Sequence, residues 1–362
     1  GKATSTDSAD SKIYYIASST YDPQQQAAGD DYAQGNNGNE YYGSDVAISS
    51  GFSTDIDTVT AVFAAKESNY KIIEIWQAEN NGSDNRSSTV ITTSSDQSTV
   101  AVSGDGQTVA AAAPGAIDDQ SKGAILIYRN TNGTGGNWSK IGQINGPELG
   151  SLAGMSGIAL SDHGNRIVLS GRNYRNPNNS AEMFGYVAVY EYSNSSWSLL
   201  GDIITIAKTT DANAVVNDIA NSLDISNDGS AVAFSSRAGY VYVYEYTNGS
   251  WNFRGDGFNK SGFVTRNNAD EVVLSSDGNI VAIATRNVSN GAGFIDLQKY
   301  STSDQEWKYL SVLYPSVNGW ASSYGDITEL VMNANASTIK AVYSGSGDSD
   351  YSATYSLTYA NQ

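Results

Sequence analysis

Apolar and polar residues alternate over short stretches of this chain, and five stretches share one layout. An apolar strand ends in serine or asparagine, the chain turns tightly, and a second apolar strand follows. The copies read VAVSGDGQTVA from Val100, IALSDHGNRIV from Ile158, LDISNDGSAVA from Leu223, VVLSSDGNIVA from Val272 and LVMNANASTIK from Leu330. A less regular start, VAISS, begins at Val46. The landmark positions Ser49, Ser103, Ser161, Ser226, Ser275 and Asn333 are 54, 58, 65, 49 and 58 residues apart. Recurrence at that length marks a repeat architecture. Inside each copy the period of two predicts a strand packed on one face and crowded on the other, with Ala101, Ala159, Asp224 and Val273 on the crowded side.

The turns carry Asp105-Gly106, His163-Gly164, Asp228-Gly229 and Asp277-Gly278, with Asn335-Ala336 in the last copy. Such pairs between apolar strands predict hairpins in which both turn residues adopt positive φ. A second hairpin follows in four copies, as GAILIYRN from Gly123, GYVAVYEY from Gly185, GYVYVYEY from Gly239 and GFIDLQKY from Gly293. Each leads to a tryptophan, Trp138, Trp197, Trp251 or Trp307, at 15, 12, 12 and 14 residues from its glycine. A last strand follows the tryptophan. Four antiparallel strands per unit, without helical periodicity, describe a propeller blade. Recurrence at one position makes the tryptophans inter-blade packing residues.

The predicted fold is therefore all-β: one domain over residues 1–362, a six-bladed β-propeller of four-stranded antiparallel blades. The blades span approximately 45–95, 96–148, 153–205, 218–258, 268–315 and 326–362. The sixth copy ends without a tryptophan strand. KIYYIASST, residues 12–20, alternates apolar and polar positions and is expected to supply the missing strand through Ile13, Tyr14, Tyr15 and Ile16. Closure of this kind removes exposed strand edges. The longest loops are expected at Ile203–Ala220 and Gly171–Gly185, and recognition usually resides in such loops.

Composition narrows the functions. With 38 acidic and 20 basic residues the formal charge is −18, which repels phosphate backbones and anionic lipid headgroups. Nucleic acid is thus not an expected partner, and no run of eighteen apolar residues predicts membrane insertion. Cysteine is absent, which removes disulfides, thiolate catalysis and sulfur-based zinc sites. Enrichment in Ser, Thr, Asn, Gly and Tyr, with a Gly1-Lys2 start, is read as a secreted or surface-displayed protein. Ten N-glycosylation acceptor motifs occur, at Asn81, Asn85, Asn132, Asn137, Asn178, Asn194, Asn248, Asn259, Asn287 and Asn335. Tyrosine, at 24 residues against 8 phenylalanines, is expected to face outward in YVYVYEY, where its flat ring and polar tip suit protein interfaces and sugars alike.

The composite S-x-D-G-x-x-V-A, G-x-V-x-V-Y-x-Y and W-x-x-x-G resembles the FG-GAP-type repeats of integrin-α-like propellers, best over residues 100–146. The resemblance implies extracellular recognition or adhesion, and it makes calcium the one candidate ion. No D-x-D-x-D-G calcium loop is present, so no cofactor is predicted.

Ser-x-Asp-Gly is also similar to the sialidase Asp-box, but glycine follows aspartate directly and the closing aromatic is missing. Arg166, Arg172 and Arg175 fall in one blade without evidence of convergence on a carboxylate. His163 replaces a turn aspartate and reads as a turn residue rather than a general base. Asp30-Asp31 and Asp118-Asp119 read as loop acids rather than as metal or glycosidase carboxylates. With no catalytic set and no metal set, the expected function is a non-enzymatic extracellular assembly subunit of a filament, sheath, fibre or surface layer. It would act through self-association or contact with another surface protein. The alternatives are a glycan-binding lectin or adhesin, then a glycoside hydrolase.

Overall fold

The computed structural model describes residues 40–49, 58–67, 70–79, 86–93, 99–113, 122–131, 137–147, 151, 153–154, 157–176, 179–205, 219–236, 240–255, 258–259, 269–286, 293–314, 327–333, 335–343 and 351–357. Every element among them is a strand. The first sheet comprises β1 (Glu40–Ile48), β2 (Thr58–Glu67), β3 (Tyr70–Glu79) and β4 (Arg86–Thr93), and the second β5 (Thr99–Val102), β6 (Thr108–Ala113), β7 (Ala124–Asn130) and β8 (Trp138–Asn145). The third holds β9 (Ile158–Leu160), β10 (Arg166–Asn176), β11 (Asn179–Ser193) and β12 (Ser196–Leu199), with the short β13 (Ile204–Thr205) continuing along β11 beyond β12. The fourth repeats this plan with β14 (Ile219–Ile225), β15 (Ala231–Ser236), β16 (Tyr240–Thr247), β17 (Ser250–Phe253) and the short β18 (Phe258–Asn259). The fifth contains β19 (Ala269–Leu274), β20 (Ile280–Arg286), β21 (Gly293–Ser301) and β22 (Glu306–Leu313), and the sixth β23 (Ile327–Met332), β24 (Thr338–Tyr343) and β25 (Tyr351–Ser356).

All the pairings are antiparallel and run in sequence order from the first strand of a sheet to its last. The first strands of successive sheets touch one another, from β1 through β5, β9, β14 and β19 to β23. The sheets therefore stand side by side around an axis, each first strand innermost, as in a β-propeller.

Apolar burial follows from that arrangement, because each sheet has two faces to cover. The second strands of the second and fourth sheets, TVAAAA and AVAFSS, are buried at every position. Five separate hydrophobic clusters fill five seams between consecutive sheets, first to second, second to third, third to fourth, fourth to fifth and fifth to sixth. No single central core is needed; among the described residues each of the second to fifth sheets is covered on both faces by its neighbours.

Three expectations are corrected here. The Asp-Gly turns are not two-residue hairpins with two positive φ values. Serine is the first residue of a four-residue turn, its carbonyl accepting the glycine N–H, as in Gly106 N to Ser103 O at 2.9 Å and Gly229 N to Ser226 O at 2.8 Å. Only the glycines take positive φ, at 69°, 59°, 72° and 67° for Gly106, Gly164, Gly229 and Gly278. Gly171–Gly185 is not a loop either. Its residues extend β10 and β11 as a long hairpin arm, with register shifts between Gly171 and Tyr174 and between Arg175 and Asn176. Finally, Tyr240, Tyr242, Tyr244 and Tyr246 do not face outward: all four are half-buried, and the last three pack against the seam to the third sheet. The strand Ile13, Tyr14, Tyr15 and Ile16 lies outside the described residues.

Candidate interaction surface

The turns between first and second strands are built by side-chain capping. Ser103 Oγ accepts the Thr108 N–H at 2.9 Å and donates to Asp105 Oδ1 at 2.6 Å, which also accepts the Gln107 N–H at 2.9 Å. Ser226–Asp228 and Ser275–Asp277 repeat the pattern. Burial raises the Asp228 and Asp277 carboxyls, but the hydrogen bonds more than offset it. Ser230 and Ser226 with the Arg166 charge, and Ser275 with Asn279, hold the two acids below the usual range. In the third sheet, where His163 replaces the acid, Ser161 Oγ instead donates to Asn165 Oδ1 at 3.0 Å. His163 is 79% exposed, with Nδ1 3.8 Å from both Asp105 and Asp162.

Successive turns also bond to one another. Asp105 N donates to Asp162 O at 2.9 Å, Asp162 N to Asn227 O at 2.9 Å, and Asn227 N to Ser276 O at 3.1 Å. A belt of main-chain hydrogen bonds thus joins the second to the fifth sheet at one end of the axis. Beneath it, each turn glycine carbonyl accepts a side chain from the preceding sheet: Thr60 on Gly106 at 2.8 Å, Arg129 on Gly164 at 2.7 Å, Arg166 on Gly229 at 3.2 Å and Arg254 on Gly278 at 2.8 Å. A side chain at Gly164 would collide with Thr108, so the close approach of sheets requires glycine as much as its φ does.

Each of the three arginines also lies over a tyrosine of the next sheet. Arg129 is 4.9 Å from the Tyr192 ring, Arg166 5.8 Å from Tyr246 and Arg254 4.2 Å from Tyr300. Those tyrosines pair across the strands with Trp197, Trp251 and Trp307, every pair at 5.3 Å. Two of the tryptophans reach back to the preceding sheet, Trp251 Nε1 donating to Leu200 O at 2.7 Å and Trp307 Nε1 to Arg254 O at 2.8 Å. Trp197 sits on Gly142 of the second sheet, and its buried Nε1 has no acceptor among the described residues. The tryptophans are half-buried seam clamps. Their shared role was not legible in the sequence because the three arginines sit at different positions of the blade; a glycine carbonyl and a tyrosine ring of the next sheet unite them.

Asp224 stands apart. It lies on β14 and accepts the Ile225 N–H at 2.8 Å and, across the seam, the Leu274 N–H of β19 at 2.7 Å. Crowding by protein atoms outweighs both bonds and pushes its carboxyl up to about 6.

What remains on the outside is a repeated apolar position. Two residues after the clamp tryptophan, the outermost strands of the third, fourth and fifth sheets carry Leu199, Phe253 and Tyr309, exposed by 41%, 43% and 53%. The second sheet has Lys140 there. Of the glycosylation motifs, Asn137, Asn194, Asn248 and Asn335 are exposed, and Asn194 and Asn248 occupy hairpin turns at φ 51° and 55°. Asn259 lies on β18. Asn81, Asn85, Asn132, Asn178 and Asn287 fall outside the described residues. Among the described residues no helix is long and apolar enough to cross a membrane, and no three His, Asp or Glu side chains are grouped to hold a metal ion.

No family model matches the chain, and no curated protein matches it. Solved structures do match. A chain of the COPII outer-coat vertex on membranes aligns with 86% of this chain and 72% of its own length at 12% identity and TM-score 0.55. Sqt1 from Chaetomium thermophilum aligns over 84% and 68% at 14% identity and TM-score 0.51. A protein of unknown function from Desulfotomaculum acetoxidans aligns over 80% and 78% at 13% identity and TM-score 0.50. The fold is a β-propeller, and the neighbours from the COPII coat and Sqt1 are of WD40 type rather than FG-GAP, integrin-like type.

The same neighbours overturn the expectation of an extracellular structural subunit and of a secreted localisation, and they lend no support to the lectin and hydrolase alternatives. The compositional signal has a plainer origin. Serine, asparagine, glycine and tyrosine are what the capped turns and seam clamps consume, in any compartment.

Proposed function

We propose that the chain is a six-bladed propeller, closed by residues 12–20 as the fourth strand of the sixth blade, that serves as a docking platform for protein partners. Closure is supported by the sixth sheet, which alone has three strands among the described residues, and by the alternation of KIYYIASST. The platform reading rests on one observation: three consecutive outermost strands present a large, exposed apolar side chain at the same position. Isolated exposed apolar residues are ordinary; a repeated position at the rim is the kind of surface that partners cover. Arg129, Arg166 and Arg254 are engaged in holding blades together, which leaves the rim to recognition.

Photocrosslinking tests this. A photoreactive residue at positions 199, 253 and 309 is expected to give discrete protein adducts in extract of the source organism, whereas Lys308, on the other face of β22, gives none. Equal labelling at all four positions, or none, would remove the platform reading.

A further inference from the structure

The sixth sheet is dry on one face only. Along β24 the burial alternates: Ile339, Ala341 and Tyr343 are buried against the fifth sheet, whereas Thr338, Lys340 and Val342 are half-buried. In the second to fifth sheets the positions matching Lys340 and Val342 hold Ala110 and Ala112, Val168 and Ser170, Ala233 and Ser235, and Ala282 and Ala284, all fully buried. Val331 of β23 stands directly across from Lys340 and is 46% exposed, while its second-sheet equivalent, Ala101, is buried. On the other side of β24 the register sets Thr354 beside Lys340 and Ser356 beside Thr338. Glu329, across from Val342, is the acid of this face, so Lys340 marks its cationic end. A lysine and hydroxyl residues thus stand where the covered faces have small, mostly apolar ones. Such a face suits a polar cover rather than another dry seam.

We propose that the chain's own residues 21–39 lie across this face as a strap, with Asp30 and Asp31 at Lys340. The inference rests on the closure reading. With residues 12–20 on the outer edge of β25, the chain has to return from there to Glu40, where the innermost strand β1 begins. That return crosses three strand spacings, about 14 Å, whereas the intervening residues reach about 60 Å when extended. The segment is also longer than the connections between sheets at 206–218 and 314–326, so it has chain to spare for lying over the strands. Its composition fits the face. YDPQQQAAGDDYAQGNNGN carries Asp22, Asp30 and Asp31, no cation, and many Gln and Asn. These residues cannot build an apolar seam, but their amides and main chain can bond to hydroxyl and lysine groups while shielding Val331 from water. The ion pair adds little stability by itself; it sets which end of the face the acids occupy.

The chain has no cysteine, so Val331→Cys supplies a single thiol whose rate of maleimide labelling reports cover on this face. Labelling is expected to be several-fold slower with the native segment than in a chain whose residues 21–39 are replaced by Gly/Ser of equal length, residues 12–20 being kept. Asp30→Lys with Asp31→Lys should speed labelling by about two- to fivefold, and Lys340→Glu added to that pair should restore the slow rate. In a separate chain, Asp31→Cys with Lys340→Cys should close an intramolecular disulfide under mild oxidation. Equal labelling with and without the native segment, or a charge reversal that Lys340→Glu does not rescue, overturns the proposal. Protection that grows with protein concentration also overturns it, because the cover is then a second copy. Closure is read separately: an unchanged thermal midpoint after removal of residues 1–20 defeats closure, whereas an unprotected thiol in a chain that needs those residues defeats the strap alone.

Discussion

Asp224 shows how much a single side chain depends on position. Its equivalents are Ala101, Ala159, Val273 and Val331, all apolar, so in the repeat it reads as an oddity on the crowded side of a strand. In the structure it ties β14 to β19 by accepting the Leu274 N–H. Its carboxyl keeps a proton up to about pH 6 in the folded chain, whereas an unfolded aspartate releases it near pH 4. Between those values the folded state binds the additional proton. Stability from this group therefore falls as pH rises from 4 to 6, and above 6 the crowded charge is fully felt. Urea unfolding at pH 5 and pH 7 should show the parent chain gaining more stability on acidification than Asp224→Asn; parallel pH dependence would contradict it. The capped turns, by contrast, were legible as Ser-x-Asp-Gly, although the sequence could not distinguish aspartate as a turn former from aspartate as a cap. Both give the same letters.

At the scale of elements, the strands and their grouping were readable because alternation and turn residues are local signals. The seams were not, since they join residues about fifty positions apart. Tryptophan recurrence pointed to packing, yet the sequence could not say that Trp251 and Trp307 donate to main-chain carbonyls of the preceding sheet while Trp197 does not. That difference is measurable. Trp251→Phe loses a half-buried hydrogen bond and leaves the Leu200 carbonyl without it, a cost of about 1–2 kcal/mol. Trp197→Phe loses a ring of similar size but no such bond and should be milder by about 1 kcal/mol. Equal losses in denaturant unfolding would mean that the indole N–H contributes nothing to the seam. The tyrosines of β16 misled for a related reason: period two fixes which residues share a face, not whether that face meets water or a neighbouring blade.

For the molecule as a whole, the repeat leads to a propeller, and composition yields very little about where it works. The proposed closure makes a clear demand. Each interior sheet has a neighbour on both sides, so a missing outer strand in the sixth blade would leave β25 as an unpaired edge and the ring without its latch. Removal of residues 1–20 should lower the thermal midpoint by several degrees, in line with the loss of a strand from a multi-sheet domain, and should promote association through the exposed edge. An unchanged midpoint together with a monomeric solution mass would place the closing strand elsewhere.

The glycine carbonyls under the belt have a further consequence, for the history of such a chain. A main-chain acceptor asks nothing of the side chain at its position, so a duplicated blade inherits one half of each seam intact. Only the donor must be reinvented. Thr60 and Arg166 meet that need from the same place, the second-strand residue whose N–H bonds the turn serine, whereas Arg129 meets it from a third strand and Arg254 from just past a fourth. Units assembled in this manner are free to drift apart in sequence while remaining interchangeable in shape, and a ring of this kind outlives the resemblance among its own copies.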